Sequence, residues 1–169
     1  DTVRRSLEYL STLLDRKIIG LFDNDREGNE HFKGLNKAIF ASHDLAIGTR
    51  KHLTKEIYGM LLPPPHNRDF FVTECSLKQR YLVIEHFFTD EILQEYNMKD
   101  EPILGTDVFE ISGGKNSFAD NCENLNADNF ECFRLIFNEF NESFPLIPLG
   151  DPWPRLFPCV LCLRFDLFI

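Results

Sequence analysis

The 169-residue chain has one Trp and two Met, and no run approaching the roughly 20 uninterrupted apolar residues that a membrane-crossing helix needs. Basic residues are scarce: 18 Lys and Arg stand against 27 Asp and Glu, a formal net charge of −9. That deficit excludes a surface that coats nucleic acid by charge alone. It leaves room for a protein that meets phosphate through bound cations, which bring the positive charge themselves. The five cysteines are odd in number and lack the spacing of a disulfide framework. Cys159-Val160-Leu161-Cys162 stands alone, without the second pair of a zinc site or the βαβ setting of a redox motif. Internal repeats and low-complexity segments are absent, and the first 20 residues are charged, without the apolar core of a secretory leader. The expected setting is reducing and cytoplasmic, with no membrane partner. Because the chain opens with Asp1 instead of Met, it is expected to be a piece of a longer protein.

With 43% hydrophobic and 27% charged residues, the chain has the composition of a globular domain, not of a disordered one. Leu7, Leu10, Leu13 and Leu14 recur at helical spacing over residues 4–15. Residues 17–22, KIIGLF, are continuously apolar at 18–22, as in a strand buried on both faces of a parallel sheet. An acidic segment, DNDREGN, follows at once, and then a helix-like stretch over 30–43 with Phe32, Leu35, Ile39 and Phe40 on one side. Residues 56–62 read as a second strand, halted by Pro63-Pro64-Pro65. The spacing predicts helix over 77–98, with an alternative start at Thr89, a strand or loop over 103–111, and a Phe-faced helix over 126–144. This order predicts an α/β fold with a mostly parallel sheet flanked by helices over 1–120, and a helical extension over 121–146. A Pro-rich apolar tail over 147–169 has no assigned role.

Chemistry concentrates in Phe22-Asp23-Asn24-Asp25-Arg26-Glu27-Gly28. Two aspartates two residues apart, at the mouth of a buried strand, bring their carboxylates into one volume. Left alone they repel, and one tends to keep a proton. A hard divalent cation removes that repulsion, so Mg²⁺ or Mn²⁺ is the expected cofactor. Gly28 lets the chain turn tightly into the next helix. Together these features point to phosphoryl transfer or phosphodiester cleavage.

The run from strand through FDNDREG to helix resembles the acidic motif of Toprim domains, found in topoisomerases, primases and nucleases of the overcoming-lysogenization-defect (OLD) type. Asp-x-Asp-Arg-Glu-Gly is close to the type IA topoisomerase version, whereas GNEHFKGLNKA, LLPPP and VIEHFF look more like the OLD-type segment. The resemblance spans about residues 10–120 and implies a compact α/β domain. It implies metal binding by Asp23 and Asp25, with Glu27 at a further acidic position and Glu85 completing a second metal site. Lys115 matches the basic residue near the scissile phosphate. It further implies DNA as substrate, with RNA as the alternative, an ATPase domain or subunit as partner, and possible homo-oligomers. The pattern also expects a glutamate at the end of an earlier strand. Only 22 residues precede Asp23 here, and Glu8 falls within the expected helix, so that strand is expected upstream of the chain.

The same residues fit other readings less well. Read as a calcium loop, Asp23 to Gly34 lacks the carboxylate required at its last position. A haloacid-dehalogenase-type phosphatase begins with a similar strand and DxD, but expects Thr or Val where Arg26-Glu27 stands. A non-catalytic scaffold or oligomerisation module would keep the acidic loop only for metal-linked stability. His86 follows Glu85 directly, and adjacent helical residues point about 100° apart, so the pair is not a shared ligand set. His31, His43, His52 and His66 show no ligand spacing.

Overall fold

A computed structural model of the chain describes residues 2–15, 17–42, 48–73, 75–76, 80–103 and 105–143. Helix α1 (Thr2–Leu13) leads into β1 (Ile18–Phe22), a two-residue β2 (Asn24–Asp25) and α2 (Arg26–Lys33). Strands β3 (Phe40–Ser42), β4 (Thr49–His52) and β5 (Ile57–Leu61) follow. The second half carries short helices α3 (Phe70–Thr73), α4 (Asp90–Glu95), α5 (Lys115–Asn121) and α6 (Arg134–Ser143), with one two-residue strand, β6 (Tyr81–Leu82).

The fold is α/β, as its element order predicts, but the sheet is mixed. Its order is β1-β5-β4-β3, with β1 and β5 parallel and the β5–β4 and β4–β3 pairs antiparallel. This corrects the expectation of a mostly parallel sheet. The connections between β3, β4 and β5 are only a few residues long, and such links join antiparallel neighbours; a parallel pair needs a long crossover. Only β1 to β5 has one, through α2, β3 and β4.

All five residues of β1 are buried, in keeping with its unbroken apolar run. The sheet lies between two apolar clusters. Ile18, Phe22 and Ile57 join Leu7 of α1, Phe32 of α2, Leu35 and Phe40 on one side. Ile19, Leu21, Tyr58 and Met60 join Phe71, Phe87, Phe88, Leu93, Phe130 and Phe133 on the other. Gly20 and Gly59 stand opposite each other in register, and Leu7 packs into the shallow spot they leave.

Two helices predicted from periodicity are shorter than expected. The stretch 30–43 is helical only to Lys33, where Gly34 caps α2 and Asn36 accepts from the Ala38 N–H at 2.9 Å, an Asx turn that competes with helix. Phe40 belongs to β3. The stretch 77–98 is not one helix: Tyr81–Leu82 pairs as a strand, Ile84–Phe87 is a 3-10 turn, and α4 begins only after Thr89. Tyr81 and Val83 favour extended backbone and adopt it, and this overrides the three- and four-residue spacing. Residues 77–79 and the tail 147–169, including Cys159 and Cys162, lie outside the described residues. Residues 105–111 are irregular apart from an antiparallel bridge between Lys99 and Ile111. In the extension a 3-10 turn, Cys122–Asn124, precedes the Phe-faced stretch, of which Ala127–Phe133 is 3-10 and Arg134–Ser143 is α-helix. There Asn126 Oδ1 accepts from the Asp128 and Asn129 N–H groups. Phe130 and Phe133 are core residues, as their spacing predicts. Cys75, Cys122 and Cys132 are free thiols. Among the described residues no helix is long and apolar enough to cross a membrane.

Candidate functional site

At the carboxyl end of β1 the chain leaves the sheet and is fastened by an asparagine network. Asn24, 6% exposed, donates from Nδ2 to Leu62 O at 3.0 Å, tying the loop to the end of β5. Asn29, 3% exposed, donates to Asn24 Oδ1 at 3.0 Å and to Asp25 O at 2.8 Å. Asn24 therefore faces inward, and the residues on either side of it are Asp23 and Asp25. The sequence pattern by itself assigns Asn24 no role. The signal that could have found it was an amide between two acids directly after a buried strand.

Asp25 is the N-cap of α2, and its Oδ1 accepts from the Gly28 N–H at 2.6 Å. One carboxylate oxygen thus anchors the helix start, a role expected of Asp at that position. Gly28 is required by contact: a Cβ there would lie 2.1 Å from the carbonyl oxygen of Asp23. Gly28→Ala must push α2 away from the loop. We expect a loss of about 2–4 kcal/mol in urea unfolding, since backbone, not a flexible side-chain end, would have to yield.

Antiparallel pairing of β2 with β6 (Asn24↔Leu82, Asp25↔Tyr81) carries the following 3-10 turn to the mouth of β1. The Ile84 backbone N–H and the charge of Glu85 both act on the Asp23 carboxyl. Glu85 is 2% exposed. Its Oε1 lies 2.7 Å from Lys115 Nζ, an ion-pair contact, but has no partner at hydrogen-bond angles. Lys115 opens α5, held by Phe118, whose ring packs 4.7 Å from Phe88 and 5.2 Å from Tyr96. Gly114 precedes it at φ +68, and a Cβ there would lie 1.9 Å from Tyr96 O, so only glycine fits.

The Asp23 carboxyl is pushed up to about 7, by burial first and then by the neighbouring charges of Asp25 and Glu85; Lys115 and the Ile84 N–H pull it partly back. Four of the five residues singled out from sequence thus share one electrostatic site, although they come from three separate segments. Glu27 does not join them. It is exposed on α2 and pairs with His31 at 3.1 Å, as an ordinary i,i+4 contact. Oxygen donors of this kind suit a hard cation, and the buried Glu85 Oε1 without a hydrogen bond is the sort of atom such an ion satisfies. Among the described residues, however, no group of three or more Asp, Glu, His or Cys side chains is placed so that it could hold a metal ion.

His86 turns away from Glu85 into the core, with 1% exposure. Its Nδ1 accepts from the Val83 N–H at 3.1 Å, which leaves Nε2 to donate to Phe109 O at 3.2 Å. Burial, helped by the charge of Arg68, holds its pKa down at about 3, so it is a neutral structural residue. Comparison of the chain with protein-family models, curated proteins and solved structures finds no match.

Proposed function

We propose that this chain is a Mg²⁺- or Mn²⁺-dependent nuclease module of the Toprim type, OLD-like, that cuts or nicks DNA. The observation that carries the reading is the convergence of Asp23, Asp25, Glu85 and Lys115 at the carboxyl end of β1, the usual ligand position in α/β sheets. Asp23, Asp25 and Glu85 would hold the cation. When bound, it supplies Lewis-acid activation of water and neutralises phosphate charge. Asp23 gives up the proton it otherwise keeps near neutral pH, and the Asn24–Asn29 network keeps the loop fixed while it does so. Lys115 offers a positive charge to a phosphate. The resemblance also implies an ATPase domain or subunit as partner.

Asn substitutions test the reading without removing the local hydrogen bonds. Asp25→Asn keeps an N-cap for α2, and Asp23→Asn keeps the shape of the side chain without its charge. In the full-length protein each should lower Mg²⁺-dependent nicking of supercoiled plasmid at least about 100-fold, the upper range for groups that merely support metal ligands. Unchanged nicking in both variants would reject the nuclease reading. One set of observations favours a second reading, a non-catalytic module: Asp25 Oδ1 is occupied as a cap, Glu27 is paired away, and no cage is complete among the described residues. That module would be stabilised by Mn²⁺ against heat yet leave plasmid intact.

A further inference from the structure

The Glu85–Lys115 pair has a consequence for how a cation would enter. Glu85 is a nearly fully buried carboxylate, and burying such a charge without a counter-charge is unfavourable. Lys115 supplies the counter-charge from the first residue of α5, with its ammonium 2.7 Å from Oε1. The contact lacks hydrogen-bond angles at that oxygen, so it is weaker than a charge-assisted hydrogen bond. The Lys115 side chain is 39% exposed, against 3% for Glu85. One end of the pair is locked in the protein; the other is a flexible stem with a route to water.

Resting on the nuclease reading above, we propose that Lys115 is a built-in competitor for the cation: it occupies Glu85 until a divalent ion displaces it. A single carboxylate oxygen cannot hold both without setting like charges against each other. Binding is then an exchange in which the ammonium swings outward as the ion reaches Glu85. The pocket stays electrically compensated before and after. Displacement weakens the apparent affinity for the ion, and by linkage a saturating ion lowers the affinity of Lys115 for Glu85 by the same factor.

Two measurements on the full chain test this. The first is Mn²⁺ affinity, read by electron paramagnetic resonance of the free ion. Lys115→Gln should bind Mn²⁺ roughly tenfold more tightly than the unaltered protein, within the usual range of coupling between linked sites. Asp23→Ala should lose binding. A Lys115→Gln variant no tighter than the unaltered protein, with binding still lost in Asp23→Ala, overturns the exchange but leaves the nuclease reading standing. Absence of Mn²⁺ binding in all three proteins overturns both. The second measurement needs no folded variant at Lys115. Acylation of Lys115 by an amine-reactive reagent, followed by peptide mass spectrometry, should rise several-fold when Mn²⁺ is added to the unaltered protein, and should not change in Asp23→Ala. Equal or lower acylation with Mn²⁺ overturns the exchange.

Discussion

Asp23→Asn makes the protein more stable at pH 8, by on the order of 4 kcal/mol at most, while it removes the proposed activity. The Asp23 carboxyl titrates near pH 7 in the folded protein, against 3.8 in the unfolded chain. A group with a raised folded pKa favours folding below its unfolded value, and that contribution is lost as pH rises through the folded value. Three pH units at about 1.4 kcal/mol each set the ceiling. Asparagine carries no charge for Asp25 and Glu85 to repel. His86 works in the opposite sense: its pKa falls from 6.5 to about 3, so its contribution is present above pH 6.5 and lost on acidification. Between about pH 4 and 6.5 the two slopes oppose each other in the unaltered protein. Urea unfolding across pH 4–8 should therefore be flatter for the unaltered protein than for Asp23→Asn, whose stability should rise with pH. Mg²⁺ should stabilise the unaltered protein at pH 8 and leave Asp23→Asn unmoved. Identical pH profiles for the two proteins would remove the electrostatic account of the site.

The parts of this site that sequence made legible are those whose signal is local. A five-residue apolar run followed by acids marks a buried strand and its mouth, and the structure has both. Glu85 stood out as a lone acid among apolar residues, and it is buried with a cationic partner. What brings it to Asp23 was hidden. The β2–β6 ladder is two residues long, too short to leave a period-2 pattern, and it lies within a stretch whose spacing imitates a helix. The same limit applies to the sheet. Whether β5 neighbours β1 directly, and whether β4 runs antiparallel to it, depends on short connections that carry little pattern of their own. Glu27 shows the converse: the resemblance gives it a place at the metal, whereas in the structure it makes an i,i+4 contact with His31. Fold class and acidic loop are therefore readable from periodicity and charge, whereas strand direction and the assembly of distant side chains depend on tertiary pairing that overrides local preference.

A second large effect is expected at a residue that neither motif nor exposure marks out. Asp90 is 46% exposed, and its carboxylate spans two cations, Arg68 Nη2 and Lys99 Nζ, each at 2.5 Å. Exposed pairs of this kind usually contribute about 1 kcal/mol or less. Here one partner is not exposed: the Arg68 side chain is 3% accessible, donates to His86 O from Nη1, and stands 5.3 Å from the centroid of the Phe109 ring. Burial lowers the Arg68 pKa and the charge of Asp90 opposes that shift, so the carboxylate is what makes a buried guanidinium tolerable. Asp90→Ala strands that charge, and it also frees Lys99 from its place over the same ring. We expect a loss of about 3–5 kcal/mol, as when one partner of a buried pair is removed. Asp90→Asn should cost less, because an amide still accepts one hydrogen bond. The decisive comparison is Arg68→Met/Asp90→Ala, which has no charge left to strand. It should recover most of the loss, so the two substitutions should be strongly non-additive in urea unfolding. A single Asp90→Ala cost below about 1 kcal/mol would instead make this an ordinary surface ion pair.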